Sequence, residues 1–273
     1  MVVLMRFPEG KKKALTLSYD DGVQQDIRLC EILDRYGIKC TFNLGGGQLA
    51  PDDGVKHWNL SVSEAKELFS RYGQDIAAHG YRHLNLGAVS PAQMSYDMVR
   101  DRATLETEFD RSVRGMAYAY GSLNNEVLNM LRSCGFCYGR TTRSTESFGL
   151  PSDWLRLDPT AHHNNPKLME LAKSFVEKDV RYGPDMFYLW GHSYEFDQND
   201  NWNVIEEFCE FIGGREDIWY ASNTEIYEYA EAYKQLIWRS DSSAVFNPTC
   251  RTLWFEMDGK MRVIASGETL KLR

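Results

Sequence analysis

Two adjacent carboxylates, Asp20 and Asp21, end the apolar run of LTLSYDDG at residues 15–22. Asp and Gly are ordinary turn formers, so turn chemistry is one reading of this stretch. Other titratable and hydrogen-bonding groups stand at matching places further on. His79 and His83 follow DIAA in HGYRH, Tyr120 and Gly121 follow GMAYA, Arg140 follows GFCYG, and His192 follows MFYLWG. A divalent cation of the zinc type takes imidazole nitrogen and carboxylate oxygen and keeps positions open for water and substrate. Asp21, His79 and His83 would make such a set, because HxxxH spacing brings two imidazoles together on a helical turn or a tight loop. Asp20 would not join them from the same side, since neighbours on an extended backbone point opposite ways. It is placed instead to take a proton from the water that the cation activates. His192 has the pKa range to protonate a leaving amine or alkoxide.

These groups need elements that hold them. ALTLS (14–18), KCTFNL (39–44), DIAA, GMAYAYG (115–121), GFCYGRT, DMFYLWGHS (185–193) and DIWYAS read as strands. Between them lie helix-like runs. Residues 24–36 place Ile27, Cys30, Ile32, Leu33 and Tyr36 near helical spacing before Gly37. Ser61 and Glu64 form a capping-box pattern for SVSEAKELFSRY, and Pro91 can open the next helix. NNEVLNMLRSC, the run from Pro166 to about Lys178, WNVIEEFCEFI and TEIYEYAEAYKQLI read as further helices, and residues 144–163 as irregular. The alternation predicts an α/β chain with a largely parallel sheet, and in a barrel of parallel strands the strand ends open on one face. All the groups named above fall at such ends. From Ser240 the texture turns to strands, with Asp258-Gly259 as a hairpin signal. The expected organisation is a (β/α) barrel over residues 1–239 with a β appendage, 240–273, packed on it and not an independent domain.

A chain of 273 residues with 43% hydrophobic and 26% charged residues has the composition of a folded globular protein. No apolar run approaches the roughly 18–20 residues that span a bilayer, so no membrane segment is expected. The start, MVVLMRFPEGKKKA, has its positive charge after its short apolar part, the wrong order for a secretory signal. As written the chain reads as cytoplasmic. A net charge of -8 argues against nucleic acid as partner. Six scattered cysteines do not form a disulfide framework, and the single CxxC pair, Cys134 and Cys137, lacks the second pair a zinc knuckle needs.

Taken together, these residues resemble the polysaccharide deacetylase (NodB-homology, carbohydrate esterase family 4) superfamily. SYDDG resembles its first motif, TFDDG; HGYRH resembles the second, HSxxH; AYAYGSLN resembles the third, RPPYGxxN; LWGH resembles the LxxH of the last. The order and spacing fit over residues 14–195. The resemblance implies a distorted, seven-stranded (β/α) barrel and one divalent metal, most often zinc, on Asp21, His79 and His83. It implies Asp20 as general base, His192 as general acid and the Tyr120 backbone N–H as an oxyanion donor. The implied activity is hydrolytic removal of acetyl groups from N-acetylated, sometimes O-acetylated, sugars, a reaction on the C–N bond of a linear amide.

Two departures stand out. The arginine of the third motif, which orients the base, would fall at Ala117, and Arg140 one strand later is the best substitute, with Arg143 behind it. The aspartate-tryptophan motif that supports the acid histidine has only SDW at 152–154 to offer, later than the usual spacing. His162 and His163 would line the pocket or pair with a carboxylate. Trp190, with Trp58, Trp154 and Trp202, is a candidate stacking wall for a sugar ring. Glu195 and Asp197 read as loop carboxylates. Two other functions compete: a hydrolase of a small non-sugar amide, and a metal-retaining, catalytically silent carbohydrate-binding protein. A two-carboxylate glycosidase is disfavoured, because Asp20 and Asp21 point apart and do not flank one bond.

Overall fold

Strand β2 (Lys13–Asp20) is buried along all of its residues and sits at the centre of the main sheet. In the computed structural model, which describes residues 2–272, one edge of β2 pairs along its length with β8 (Asp185–Gly191). The other edge is shared. β9 (Ile218–Tyr220) pairs the first residues of β2, and β3 (Cys40–Leu44) pairs the last. β4 (Asp75–Ala78), β5 (Gly115–Ala117) and β6 (Tyr138–Arg140) extend the sheet beyond β3, and β7 (Ala161–His162) lies beyond β8. The order is β6-β5-β4-β3-β2-β8-β7, every pairing is parallel, and β9 sits off this path. Leu157, on the segment entering β7, makes a parallel bridge to Arg140 and brings the two edges together. This is the seven-stranded distorted barrel that the alternation and the resemblance imply.

Helices cover the outside. They are α1 (Asp26–Arg35), α2 (Val62–Arg71), α3 (Pro91–Phe109), α4 (Asn125–Ser133), α5 (Leu168–Glu177), a short α6 (Tyr194–Gln198), α7 (Asn203–Ile212) and α8 (Asn223–Lys234). Their starts follow capping chemistry. Ser61, Ser90 and Ser222 each accept from the third residue's N–H while Glu64, Gln93 and Glu225 return the bond. With strands buried on both faces, one core cluster sets Leu15, Leu17, Phe42, Phe187 and Leu189 against Leu29, Leu33, Phe69, Phe175 and Phe208, and a second packs Met186, Tyr188 and Tyr229 with Val245, Leu253 and Phe255.

Several boundaries differ from the sequence reading. β2 continues through Asp20, two residues past ALTLS. The strand expected over 115–121 ends at Ala117, and Ala119–Gly121 is a 3-10 turn. Ile27 is 38% exposed, because α1 turns Asp26 and Leu29 inward and leaves Ile27 on its outer face. HSYEFD, read as loop, contains α6, and the irregular stretch 144–163 contains β7. The Asp258-Gly259 turn joins β12 (Leu253–Met257) to β13 (Lys260–Ile264), with both turn residues at positive φ. β1 (Val3–Arg6) pairs antiparallel with β12. A second small sheet joins β10 (Ile237–Trp238), β11 (Ala244–Phe246) and β14 (Thr269–Lys271). Tyr229 of α8 ties these strands to the barrel helices: its hydroxyl donates to Arg6 O at 2.8 Å and accepts the Trp254 N–H at 2.9 Å. Among the described residues, no helix is long and apolar enough to cross a membrane.

Candidate active site at the strand ends

The ends of β2, β4, β5, β6 and β8 converge, and the backbone there departs from extended geometry. Asp20 is the last residue of β2, in register with Asn43 of β3. Asp21 still donates its N–H to Asn43 O at 3.0 Å, but its φ is 78°. Because the chain turns left-handed at that point, the expectation that the two carboxylates point apart does not hold at their tips. Asp21 Oδ1 lies 3.6 Å and Asp20 Oδ2 3.8 Å from the same nitrogen, His79 Nε2. His83 and Tyr120 are also left-handed, at φ 53° and 58°. A non-glycine residue in this region stores on the order of 1–3 kcal/mol, and such strain gathers at functional sites.

His79 extends the β4 ladder, donating its N–H to Leu44 O. The loop it opens is held by Asp101 of α3, whose carboxylate accepts from the N–H groups of Gly46, His79 and Gly80 at 2.5, 3.0 and 2.7 Å. Burial pushes the Asp101 carboxyl up to about 7 even though those three N–H groups pull it down. His79 Nδ1 is 3.0 Å from Ala117 O, and a proton on Nδ1 leaves Nε2 as the ligating atom. His83 Nε2 lies 3.2 Å from His79 Nε2 and 3.8 Å from Asp21 Oδ1. Two nitrogens bound to one tetrahedral zinc-type ion lie about 3.3 Å apart. Ligand atoms of Asp21, His79 and His83 all fall within 4.8 Å of one another. Burial, and then the neighbouring His79, lower the His83 pKa, which favours the neutral imidazole that a metal needs. The donor set fits a divalent metal.

Asp20 is fully enclosed. Asn43 Nδ2 donates to its Oδ1 at 2.7 Å, and Arg140 Nη2 donates to Oδ2. Burial would raise this carboxyl, but the Arg140 guanidinium, with His79 and His192, outweighs it and holds the pKa down to about 2. Arg140 is itself fully buried, with its guanidinium 4.3 Å from the centre of the Trp190 ring. Trp190, 8% exposed, thus supports Arg140 and takes the edge of His162 at 4.5 Å instead of presenting an open face. Arg143 points outward and pairs with Asp158.

His192 Nε2 reaches 3.8 Å from Asp20 Oδ2, and His192 Nδ1 is 3.1 Å from Glu195 Oε1. Burial works against the imidazolium, yet the bond to Glu195 and the charges of Asp20 and Asp21 raise its pKa above the ordinary value. Glu195 is the residue the sequence reading discounted. It lies three positions after His192 on α6, and a five-residue helix carries too few turns to show a periodic pattern. Asp153, from the SDW candidate, instead caps the turn at Trp154–Arg156 and pairs with Arg132 and Arg156.

Glu195 also gathers the second histidine pair. Its Oε2 is 2.8 Å from His163 Nε2, off the ring's N–H axis, and 3.4 Å from His162 Nε2. Asn164 N–H donates to His162 Nδ1 at 3.1 Å, which puts the His162 proton on Nε2, facing Glu195. With His192 Nδ1 and Asn164 Nδ2 also hydrogen-bonded to Glu195, the cluster reads as a carboxylate holding donors more than a second ligand set, although its ligand atoms also lie within 4.8 Å of one another. The close contacts of His163 and His192, and after them the charges of His162 and His163, hold the Glu195 carboxyl below the usual range despite its burial. Burial lowers His162 to about 4, and His163 is lowered as well. His163, 1% exposed, is stacked between Tyr19 and Phe196 and does not line an open pocket. Gly191 permits this, because a Cβ there would lie 2.0 Å from the His163 ring.

On the far side Tyr120 is 69% exposed, with its ring edge-to-face with His83 at 4.7 Å. Gly121, at φ 64°, closes its turn where any Cβ would meet Thr142 at 2.1 Å. Trp58 is exposed near the site, while Trp154 and Trp202 are core residues. A surface cavity of about 720 Å³ is lined by residues at the starting ends of strands, such as Lys39, Asp75 and Arg111, and holds none of these groups.

Comparison with known proteins agrees with this fold. Residues 8–139 match the polysaccharide deacetylase family. No curated protein matches the chain. A solved Mycobacterium smegmatis protein, named provisionally as a polysaccharide deacetylase, is similar at TM-score 0.62 and 17% identity, over 86% of this chain and 96% of that one. BA3943, a CE4 family pseudoenzyme from Bacillus anthracis, is similar at TM-score 0.50 and 17% identity, over 82% of this chain and 68% of that one. The Streptococcus pyogenes deacetylase PplD, solved in complex with acetate, is 22% identical with a TM-score of 0.47; 52% of this chain is covered, and it spans 61% of that chain's length. The stretch that matches the polysaccharide deacetylase family carries Asp20, Asp21, His79, His83 and Tyr120, and the chain has the fold of the solved deacetylase-like protein over most of its length.

Proposed function

We propose that the protein is a metal-dependent hydrolase that removes an acetyl group from an N-acetylated, or alternatively O-acetylated, carbohydrate. The observation that carries this reading is the meeting of two chemistries at one point. Three ligand atoms converge at Asp21, His79 and His83, and beside them Asp20 Oδ2 stands 3.8 Å from both His79 Nε2 and His192 Nε2. Asp21, His79 and His83 would hold one divalent ion, zinc by preference for two imidazoles and one carboxylate. When bound, such an ion supplies Lewis acidity toward the acyl oxygen and acidifies water.

The remaining work falls to the chain's own groups. Asp20, kept ionised by Arg140 and Asn43, accepts a proton at Oδ2 from the attacking water. His192, whose protonated form Glu195 favours, gives its Nε2 proton to the leaving nitrogen or oxygen. The Tyr120 backbone N–H, presented by a left-handed turn, would donate to the developing oxyanion. Arg140 enters as a positioning residue for the base, and Glu195 as the same for the acid. His162 and His163 act through Glu195. Residues 240–273 are read as an appendage that braces the barrel.

The similar pseudoenzyme motivates a second reading, a metal-retaining binding protein without turnover. Acetate release from a panel of N-acetyl sugars, with and without chelator, tests the proposal. Release that chelator abolishes and metal restores supports it. Bound metal with no release from any sugar, nor from p-nitrophenyl acetate, supports the silent module.

A further inference from the structure

Trp58 is a large apolar side chain left 54% exposed at the mouth of the site. Its backbone is not loose. Gln24 N–H donates to Trp58 O at 3.1 Å, Asn59 Nδ2 donates to Asp21 O at 2.7 Å, and Leu60 N–H donates to Gly22 O at 2.8 Å. Val23 and Asn59 form an antiparallel bridge. The segment presenting Trp58 is therefore fastened to the segment presenting Asp21. The indole packs against Tyr194 with ring centres 5.6 Å apart, and Tyr194 packs on His192 at 5.2 Å.

Resting on the deacetylase reading, we propose that Trp58 and Tyr194 form a stacking platform for a pyranose ring on the His192 side of the site. Three features carry it. An exposed indole on a fastened backbone, with the Tyr194 ring tilted 50° against it, offers a ring face at reduced cost in ordering on binding. A sugar ring has an apolar C–H face that suits an aromatic surface, while its hydroxyls stay in water. The platform also adjoins the imidazole that protonates the leaving group, so a ring lying on it would be the part released from the acetyl group or the unit next to it. A small acyclic amide would gain nothing from this surface. The platform thus separates a sugar substrate from the non-sugar amide on the same machinery.

The test is calorimetric binding of N-acetylglucosamine and its di- to tetrasaccharides to the Asp20→Asn protein loaded with zinc, in which turnover does not intrude. Expected is measurable binding of the oligosaccharides, weakened about tenfold or more by Trp58→Ala and largely retained in Trp58→Phe. Acetamide should bind equally weakly with or without Trp58. In the active protein, Trp58→Ala should raise KM for the oligosaccharide more than it lowers kcat. Binding to Trp58→Ala within twofold of its parent, or no binding of any oligosaccharide to the parent, would overturn the platform. Failure of the deacetylase reading looks different: Trp58-dependent binding with no acetate released by the unsubstituted protein.

Discussion

Ala117 and Arg140 are register partners on adjacent strands, at the same height above the barrel. The arginine that the resemblance places at Ala117 is absent, yet a guanidinium reaches Asp20 from the neighbouring strand. Shifting one strand over at constant register preserves the level from which the side chain approaches. Arg140→Ala should then leave Asp20 buried without its main counter-charge. The uncompensated group costs on the order of 3–5 kcal/mol unless it takes up a proton. Expected are a lower melting temperature at neutral pH and an acid limb of the rate profile displaced to higher pH. Thermal unfolding and kcat against pH are the measurements; an unchanged acid limb would remove Arg140 from the base.

Asp20→Asn keeps the size of the side chain and removes its basicity. Metal should remain bound, since Asp20 is outside the proposed ligand set, while kcat falls by roughly 10²–10⁴. Elemental analysis beside a turnover assay checks both halves.

Glu195 raises the His192 pKa through the 3.1 Å contact to Nδ1. Glu195→Gln keeps a hydrogen-bond acceptor and loses the charge. The acid form of His192 should then be lost at lower pH, moving the alkaline limb of the rate profile downward. An NMR titration of the His192 ring follows the same shift without turnover.

Asp26 is fully buried, accepts from Ser193 Oγ at 2.6 Å and from Val23 N–H at 3.1 Å, and is pushed by burial from 3.8 to about 8. A carboxyl raised in the folded state favours folding at low pH, and that advantage is lost as pH climbs from about 4 toward 8. In chelated protein, stability should decline across pH 5–8 by on the order of 1 kcal/mol per unit, and Asp26→Asn should flatten the slope. Urea unfolding at several pH values measures it.

What the sequence made readable follows from the range of each signal. Strand ends and their polar residues were local: Asp20, His79, Arg140 and His192 were found because an apolar run stops there. Capping at Ser61 and the turn at Asp258 were local too. The pairing of β1 with β12 was not, since nothing near Val3 indicates a partner about 250 residues away. Glu195 escaped because its helix is one turn long, and Asp153 misled because letters match without regard to direction. The convergence of Asp20 and Asp21 on one imidazole depended on a left-handed φ at Asp21, which two adjacent letters do not reveal.

The most direct measurement is a crystal structure of the protein grown with zinc or cobalt, with anomalous scattering recorded at the metal edge. The account predicts a peak bonded to His79 Nε2, His83 Nε2 and an Asp21 oxygen at about 2.0–2.2 Å, with Asp20 free of it and facing the open position. A protein that releases acetate from its sugar substrate while these three side chains hold no ion would contradict it.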